Sequence, residues 1–313
     1  MIALHSELSR SALALLLGAA ILRPPPAAAQ GTGQAGAAND PRWNAIRRVF
    51  AQGELEDGYF RINLPRTDLN VSIGGDTLSP DFEFRSYVGF VPIGTRDVLA
   101  MGEVVLLQTE LPVVLAESRR QGVRVTAVHN HLTGETPRIM YVHIMAKGPA
   151  DKVAAGLRTT FAASATPLTP STDQPSTADW SAIDSVLGPH AESTGRVAEY
   201  EFGRKEALRV GGVHVKSSGL LETASEVVFE QLARGRTAVT GELYLLPSEV
   251  ESVASALEAH NLHVTALHTH MLDDGPPHFW IHWYATGDGP SLARGVAAAL
   301  AHMNSARRSK AEQ

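Results

Sequence analysis

Two short segments of the chain carry histidines in the same pattern. The first, residues 125–131, reads Val-Thr-Ala-Val-His-Asn-His, and the second, residues 264–270, reads Val-Thr-Ala-Leu-His-Thr-His. A third histidine follows 12 residues after each segment. Neutral imidazole is a common ligand of Zn, Fe, Cu and Ni, so three such rings close together predict a metal site. The candidate ligands are His129, His131 and His143 in the first set, and His268, His270 and His282 in the second.

The first two histidines of each set are predicted to lie on one face of a β-strand. Residues 123–131 alternate between aliphatic and polar types, which places His129 and His131 on the face of the core-directed residues. We therefore expect them to continue that row at the mouth of the core. If the next hairpin turns near Pro137, His143 lies roughly opposite His131, with Cβ atoms about 4.5–5.5 Å apart. This spacing predicts one His-x-His…His site in each set.

Carboxylates recur near the predicted histidine sites. A carboxylate there would act as a fourth ligand, as an outer partner that orients a histidine, or as a general base. Glu110 and Glu249 are different, because they fall in the first turn of predicted helices, where an acidic side chain complements the helix dipole. The candidate catalytic residues are Glu103 and Glu242 at strand starts, and Glu135 and Asp274 in hairpin loops.

The histidine sets belong to a longer internal repeat. His129 recurs as His268, 139 residues later, and the same offset aligns residues 102–156 with the second copy without a gap. Two tandem homologous domains are therefore predicted, because a duplicated unit of this size can fold around its own core. The predicted divisions are a signal peptide at 1–29, a lead-in without regular structure at 30–39, repeat domain 1 at 40–162, a linker at 163–177, repeat domain 2 at 178–305 and a tail at 306–313.

Each repeat is predicted to have an α+β fold. Its second half reads as a strand, an amphipathic helix, two strands of a hairpin and a last helix. In the second repeat Val250, Val253 and Leu257 form the apolar stripe of the first of these helices. The order β-α-β-β-α is similar to part of a ferredoxin-like unit.

The N-terminus predicts export. Arg10 precedes an apolar run at residues 11–22 that is too short to span a bilayer, and Ala27 to Ala29 form a small-residue cleavage pattern. We expect a secreted or periplasmic protein after cleavage, without a transmembrane segment. The chain has no cysteine, which excludes thiolate ligands and disulfides. Its net charge of −6 without a basic cluster argues against a nucleic-acid partner.

The string Thr-Ala-Val-His-Asn-His, followed by Pro137-Arg138 and Tyr141-Val-His143, resembles the LppY/LpqO family of exported bacterial proteins. The resemblance covers nearly the whole mature chain, because the family's domain also occurs as a tandem pair. It implies export and architecture, but no activity. The family's named members are lipoproteins, whereas this chain has no cysteine to carry a lipid. Thr269 and Pro277 stand where the first repeat has Asn130 and Arg138, so the two sites need not be equal.

A competing resemblance is to the cupins, whose His-x-His-x₃-Glu pattern matches His129, His131 and Glu135. The helices predicted between the strands argue against that nearly all-β fold. The favoured function is binding of a divalent metal, with Zn ahead of Fe, Cu and Ni, and with hydrolytic or redox activity as a possible consequence. The alternative is a non-enzymatic periplasmic module that binds a small envelope-derived ligand. The sequence leaves open whether the protein is an enzyme, and also its oligomeric state.

Overall fold

The computed structural model describes residues 38–170, 174–272 and 275–307. The predicted signal peptide at 1–29 and the candidate residue Asp274 lie outside the described residues. Within the described ranges the two repeats contain the same order of major elements.

Repeat 1 forms a six-stranded antiparallel sheet in the order β1-β2-β5-β6-β8-β7, and a two-stranded hairpin, β3-β4, projects from it. A 3-10 turn at Pro80–Phe82 precedes β5. The elements are α1 (Pro41–Phe50), β1 (Glu54–Glu56), β2 (Tyr59–Pro65), β3 (Val71–Ile73), β4 (Asp76–Leu78), β5 (Arg85–Ile93), β6 (Asp97–Leu107), α2 (Leu111–Arg120), β7 (Arg124–His129), β8 (Ile139–Pro149) and α3 (Ala150–Phe161).

Repeat 2 forms a seven-stranded antiparallel sheet in the order β15-β16-β14-β13-β10-β17, with β9 also paired to β10. Its hairpin, β11-β12, corresponds to β3-β4, and its 3-10 turn at Gly219–Leu221 corresponds to Pro80–Phe82. The elements are α4 (Ser181–Leu187), β9 (Glu192–Thr194), β10 (Val197–Arg204), β11 (Leu208–Val210), β12 (Val213–Val215), β13 (Ser225–Gln231), β14 (Thr237–Leu245), α5 (Val250–Ala259), β15 (His263–His268), β16 (Phe279–Gly287), α6 (Gly289–Leu300) and β17 (Ser305–Arg307).

The predicted α+β class and the β-α-β-β-α order of the second half are confirmed. In repeat 1 the strand β8 lies between β6 and β7 and runs antiparallel to both. Strands β6 and β7, joined by α2, therefore run parallel with another strand between them. This is the split β-α-β arrangement of ferredoxin-like units, so the partial likeness extends to the strand order.

The helices cover one face of each sheet. The helix α1 begins after Asp40, whose carboxylate caps the N–H of Arg42, and it buries Trp43, Ile46 and Phe50. These side chains pack with the apolar row of the sheet and with α3 to form the core of repeat 1. Repeat 2 has an equivalent core under α4, α5 and α6.

The opposite faces of the two sheets share two further apolar clusters, and each cluster contains side chains from both repeats. In one of them Leu99 and Met145 of repeat 1 pack with Val210, Tyr244 and Trp280 of repeat 2. The other joins the β3-β4 hairpin and Tyr141 of repeat 1 to Val228 and Ala238 of repeat 2. The repeats are thus held together by buried apolar contacts, and the described residues of both repeats belong to one compact unit.

Glu110 and Glu249, which were expected to complement helix dipoles, each form an ion pair with a buried arginine. The Glu110 carboxylate lies 2.9 Å from the guanidinium of Arg66 and accepts the N–H of Leu107. The Glu249 carboxylate makes the same contacts with Arg204 and with the N–H of Leu246. Neither glutamate caps its helix through the side chain. Both carboxylates therefore tie the start of a helix to a buried arginine, a role that the sequence did not predict.

Candidate metal centre

A β-bulge in each edge strand determines which way the histidines point. The register of β7 on β8 shifts between Val125 and Ala127, and β15 shifts at the equivalent place. Before the bulge, Val123 and Val125 pack in the core beneath the helices, whereas His129, after the bulge, faces the other sheet. The expectation that the histidines continue the core-facing row was wrong, because one extra residue reverses the alternation of faces.

The strand register brings a glutamate beside the third histidine. Glu103 on β6 pairs with His143 on β8, and Glu242 pairs with His282 in repeat 2. His143 lies opposite Ala127 and not opposite His131 as predicted, because β7 ends at His129 and His131 belongs to the loop that follows. The hairpin therefore turns two residues earlier along the chain than expected from Pro137.

A glycine before each glutamate allows the strands to approach closely. A Cβ at Gly102 would lie 2.1 Å from the carbonyl oxygen of Tyr87, and one at Gly241 would lie 2.3 Å from that of Glu226. These distances are far below van der Waals contact, so no other residue fits without moving a strand. The recurring Gly-Glu dipeptide thus supports the position of Glu103 and Glu242 at the centre.

All six predicted histidines meet between the two sheets. Their rings form three stacked pairs, and each pair joins one histidine from each repeat. In the central pair, His129 and His268, the ring centroids are 3.6 Å apart. The outer pairs are His143 with His270 at 3.5 Å and His131 with His282 at 3.9 Å. The ring centroid of His129 lies 4.9 Å from that of His131 and 4.8 Å from that of His143. The three histidines of repeat 1 therefore also lie close together, as expected.

This arrangement has an approximate two-fold symmetry. The offset of 139 residues relates His129 to His268, His131 to His270 and His143 to His282. It therefore maps the central pair onto itself and exchanges the two outer pairs. The sequence predicted one site in each repeat, and the structure brings both sets into a single cluster.

The carboxylates of Glu103 and Glu242 reach into the cluster. One oxygen of Glu103 lies 3.2 Å from Nε2 of His131, 3.2 Å from Nε2 of His143 and 3.7 Å from Nε2 of His129. The corresponding oxygen of Glu242 lies 3.5 Å from Nε2 of His270 and 3.9 Å from Nε2 of His282. Each repeat thus adds one carboxylate to its three imidazoles.

Two further glutamates, which the sequence reasoning missed, contact the outer nitrogens of the rings. Glu83 lies 2.6 Å from Nδ1 of His131. Glu222 lies 3.1 Å from Nδ1 of His143 and 3.3 Å from Nδ1 of His270. Both follow the 3-10 turn of their repeat and are 139 residues apart, so extending the ungapped alignment upstream would have found them.

Aromatic rings cover the ends of the stacks. Tyr141 stacks on His131 with centroids 3.5 Å apart, and Trp280 stacks on His270 at 3.8 Å. These two residues are also 139 positions apart. Each of the two aromatic rings thus contacts a candidate ligand.

Burial keeps five of the six imidazoles neutral. It lowers the pKa of His268 to about 3 and holds the pKa values of His129, His143, His270 and His282 well below the ordinary 6.5. Neighbouring imidazoles add to the effect, because a second positive charge beside the first is unfavourable. Neutral imidazole is the form that binds a metal ion.

His131 differs from the other five. Burial alone would lower its pKa, but the carboxylates of Glu103 and Glu83 outweigh burial and raise the pKa of His131 to about 9. Burial raises the pKa of Glu103, of Glu242 and of Glu222, the last to about 8. Without an ion the cluster therefore holds protons on His131 and on the carboxyl group of Glu222 at neutral pH.

Donor atoms within the cluster fall into groups that can hold a metal ion. In each group the donor atoms lie within 4.8 Å of one another. The two histidine groups both combine residues from the two repeats. The groups are His129, His143, His268 and His270; His129, His131 and His282; Glu242, His270 and His282; and Glu103, His143 and Glu222.

The remaining sequence candidates lie elsewhere or outside the described ranges. Glu135 is buried in the loop before β8, where it accepts the N–H of Ile139 and lies 3.3 Å from Arg138. It is in none of the metal-binding groups found among the described residues. Asp274, its counterpart, is among the residues that the structure does not describe.

A narrow recess connects the cluster with the surface. It has a volume of about 40 Å³ and is lined by Glu83, Glu103, His131 and Glu242 at its inner end, and by Arg61 among others further out. Arg61 also lines a wider cleft of about 140 Å³ between the repeats. The recess is large enough to hold water beside His131.

A family model matches residues 44–163 and matches again at residues 181–302. The chain belongs to the family described as Domain of Unknown Function (DUF1259). Both copies of the DUF1259 domain include the three histidines and the glutamate that meet at the cluster. The tandem organisation inferred from the 139-residue offset is therefore that of two DUF1259 domains.

Other comparisons add little to this assignment. The comparison with curated proteins found no match. Among solved structures, the trimeric bacterial microcompartment shell protein PduB is 9% identical to this chain. The match covers 78% of this chain and 86% of that chain, with a TM-score of 0.19, which is too low to indicate a shared fold. No helix within the described residues is long and apolar enough to cross a membrane.

Proposed function

We propose that this DUF1259 protein binds transition-metal ions at a single centre built by both repeats. The observation that carries the proposal is the meeting of six histidines, three from each repeat, between two sheets. A structural role alone would require hydrogen-bond partners for the buried ring nitrogens. Both nitrogens of His268, Nδ1 of His129 and Nε2 of His282 have no such partner among the described residues.

The energetic argument favours an ion. A buried polar nitrogen without a partner costs about 1–3 kcal/mol, and several occur together in this cluster. A bound cation would satisfy these lone pairs and would also compensate the buried carboxylates. His131 donates toward Glu83 through Nδ1, and His282 donates through Nδ1 to the carbonyl oxygen of Gly241, which leaves Nε2 of both rings for a metal.

Nitrogen donors with a carboxylate suit Zn first, and also Fe, Cu and Ni. A metal in this centre would supply a Lewis acid for hydrolysis or, if redox-active, a site for electron transfer. Glu103 and Glu242 are the side chains that would take up or release a proton beside the reacting group. The recess brings water to the side of the cluster that contains Glu103 and His131.

The size of the recess supports a metal ion over an organic ligand. Pockets for organic ligands have volumes of about 300–1,000 Å³, whereas the recess at His131 has about 40 Å³. A small envelope-derived ligand, the alternative function, would have to bind in a larger pocket away from the histidines, such as the one of about 460 Å³ beside Leu99 and Met145. The histidine cluster would then have no role in binding.

Export also belongs to this proposal. The signal-peptide pattern and the resemblance to the LppY/LpqO family support a secreted or periplasmic location. Mass spectrometry of the protein from its native host should find an N-terminus near Gln30. A mature product that retains Met1 would contradict export.

The metal proposal is tested by elemental analysis of untagged protein. We expect at least one transition-metal ion per chain, and strong loss of metal in His129→Gln and His268→Gln, which remove the central pair. His263→Gln is the matched control, because this exposed histidine lies outside the cluster and pairs with Glu258. Equal metal content in all four proteins, or none in the parent after incubation with Zn(II), would refute the proposal.

A further inference from the structure

The donors of the histidine cluster outnumber those that one ion can use. Six imidazoles and the carboxylates of Glu103 and Glu242 face the cluster, whereas a Zn-type site takes about four ligands. Bonds of about 2.0–2.1 Å mean that two ligands of one ion cannot be much more than about 4 Å apart. The cluster therefore has the composition of two sites.

The three stacked pairs divide the cluster into two gaps. One gap lies between the central pair and the pair His143–His270, and the donor group His129, His143, His268 and His270 surrounds it. The other lies between the central pair and the pair His131–His282, and the group His129, His131 and His282 belongs to it. His129 is common to both groups. The approximate two-fold symmetry exchanges the two gaps, so donors that suit an ion in one suit an ion in the other.

The surrounding carboxylates also favour bound cations. Four glutamates with largely buried side chains contact the rings: Glu83, Glu103, Glu222 and Glu242. Ionised carboxylates in such surroundings require compensating cations. The nearby Arg61 donates to the carbonyl oxygen of Gly219 and lies 4.0 Å from Glu226.

We infer that the centre is binuclear, with one divalent ion in each gap between the histidine pairs and with Glu103 and Glu242 as carboxylate ligands that each lie close to histidines of both outer pairs. This inference rests on the proposed metal binding and adds the number of ions and their closeness. Each ion takes histidines from both repeats, so neither DUF1259 domain holds a complete site by itself.

The experiment counts ions and measures their proximity in the full chain. Metal-free protein is loaded with Zn(II), desalted and analysed for metal per chain, and a second sample is loaded with Cu(II) for electron paramagnetic resonance. We expect two Zn(II) per chain, and a half-field transition from two nearby Cu(II) ions. Glu103→Gln and Glu242→Gln should each reduce the count from two to one.

Glu135→Gln is the matched control, since Glu135 is also a buried glutamate but lies outside the donor groups, and it should retain two ions. One ion per chain in the parent would overturn the binuclear inference while leaving metal binding intact. Two Cu(II) ions without magnetic coupling, or two Zn(II) ions retained in both glutamate variants, would overturn it as well. No ion in the parent would remove the proposed function together with the inference.

Discussion

The two repeats place equivalent histidines in unlike electrostatic surroundings. His131 and His270 occupy the same position of the repeat, yet the pKa of His131 is raised to about 9 and the pKa of His270 lies well below 6.5. Both ring nitrogens of His131 lie close to a carboxylate oxygen: Nδ1 is 2.6 Å from Glu83, and Nε2 is 3.2 Å from Glu103. The contacts of His270 are longer, and burial dominates its pKa.

The entrance to the cluster differs between the repeats as well. Tyr87 and Glu226 are equivalent by strand register, since each pairs with the central glutamate of its repeat. Arg61 lies between them, 4.0 Å from the Tyr87 ring centroid and 4.0 Å from Glu226. The recess that they line reaches His131. The two repeats therefore share the same donor residues but differ in the residues that line the approach to them.

The buried arginine of each repeat should contribute equally to stability, and its loss should have the largest effect of the changes considered. Arg66→Met and Arg204→Met each leave buried carboxylates unpaired and should lower the free energy of unfolding by about 3–5 kcal/mol. Urea unfolding of the metal-free proteins measures this loss. Metal content per folded chain should stay at the parental value. A much smaller loss in one of the two variants would show that the scaffolds are not equivalent.

Loss of one outer histidine should weaken metal binding in either repeat. His131→Gln and His270→Gln keep most of the side-chain volume but remove a ligand. Loss of a residue that only hydrogen-bonds to a ligand lowers metal affinity by about 10–100-fold, so these variants should lose more than that. Competition with a chromophoric chelator measures the affinity. The double variant should not be additive if both ions share the central pair, because coupled sites deviate from additivity. Additive losses would favour two independent sites.

The pH dependence should distinguish His131 from His270. A ligand must be neutral, and the pKa of His131 in metal-free protein is about 9, so affinity should rise about tenfold per pH unit between about pH 7 and 9. His270 has a lowered pKa and is already neutral there. Glu83→Gln should lower the pKa of His131 and flatten this dependence. Chelator competition measures the affinity profile, and NMR of the imidazole nitrogens reports the protonation directly.

Glu135→Gln is the control for this prediction. Glu135 is also a buried glutamate, but it lies outside the donor groups found among the described residues. The affinity profile should therefore stay close to that of the parent. An affinity independent of pH above about 6.5 in the parent would contradict the assignment of a proton to His131.

The aromatic covers should have the smallest effect. Tyr141→Phe and Trp280→Phe both keep a ring against the histidine, so each should cost less than about 1.5 kcal/mol of metal binding. Trp280→Phe should lose more fold stability, because it removes more volume from a fully buried position. Thermal unfolding with and without Zn(II) separates the two contributions. A large loss of metal in Tyr141→Phe would assign the tyrosine hydroxyl a direct role.

Much of the fold was predictable because its signals are local. The cap at Asp40 and the spacing of Trp43, Ile46 and Phe50 predict α1, and the hydrophobic pattern predicts the β-α-β-β-α half. The roles of Glu110 and Glu249 were not predictable from the same window. Their partners, Arg66 and Arg204, lie about 45 residues away along the chain, so only the tertiary contact identifies them.

The sequence by itself determined that the chain is a duplication and which residues it repeats, because an alignment at constant offset needs no structure. It also identified all six histidines and two of the four glutamates at the cluster by residue type and recurrence. Only the tertiary structure decided where those side chains point and what they meet. A single bulged residue turns His129 from the helix-covered face of the sheet to the opposite face. The alternation of residue types along the strand does not reveal such a bulge, so it predicts the wrong face. The convergence of two sets 139 positions apart depends on how two sheets pack, which is a property of their shared apolar faces and not of spacing along the chain.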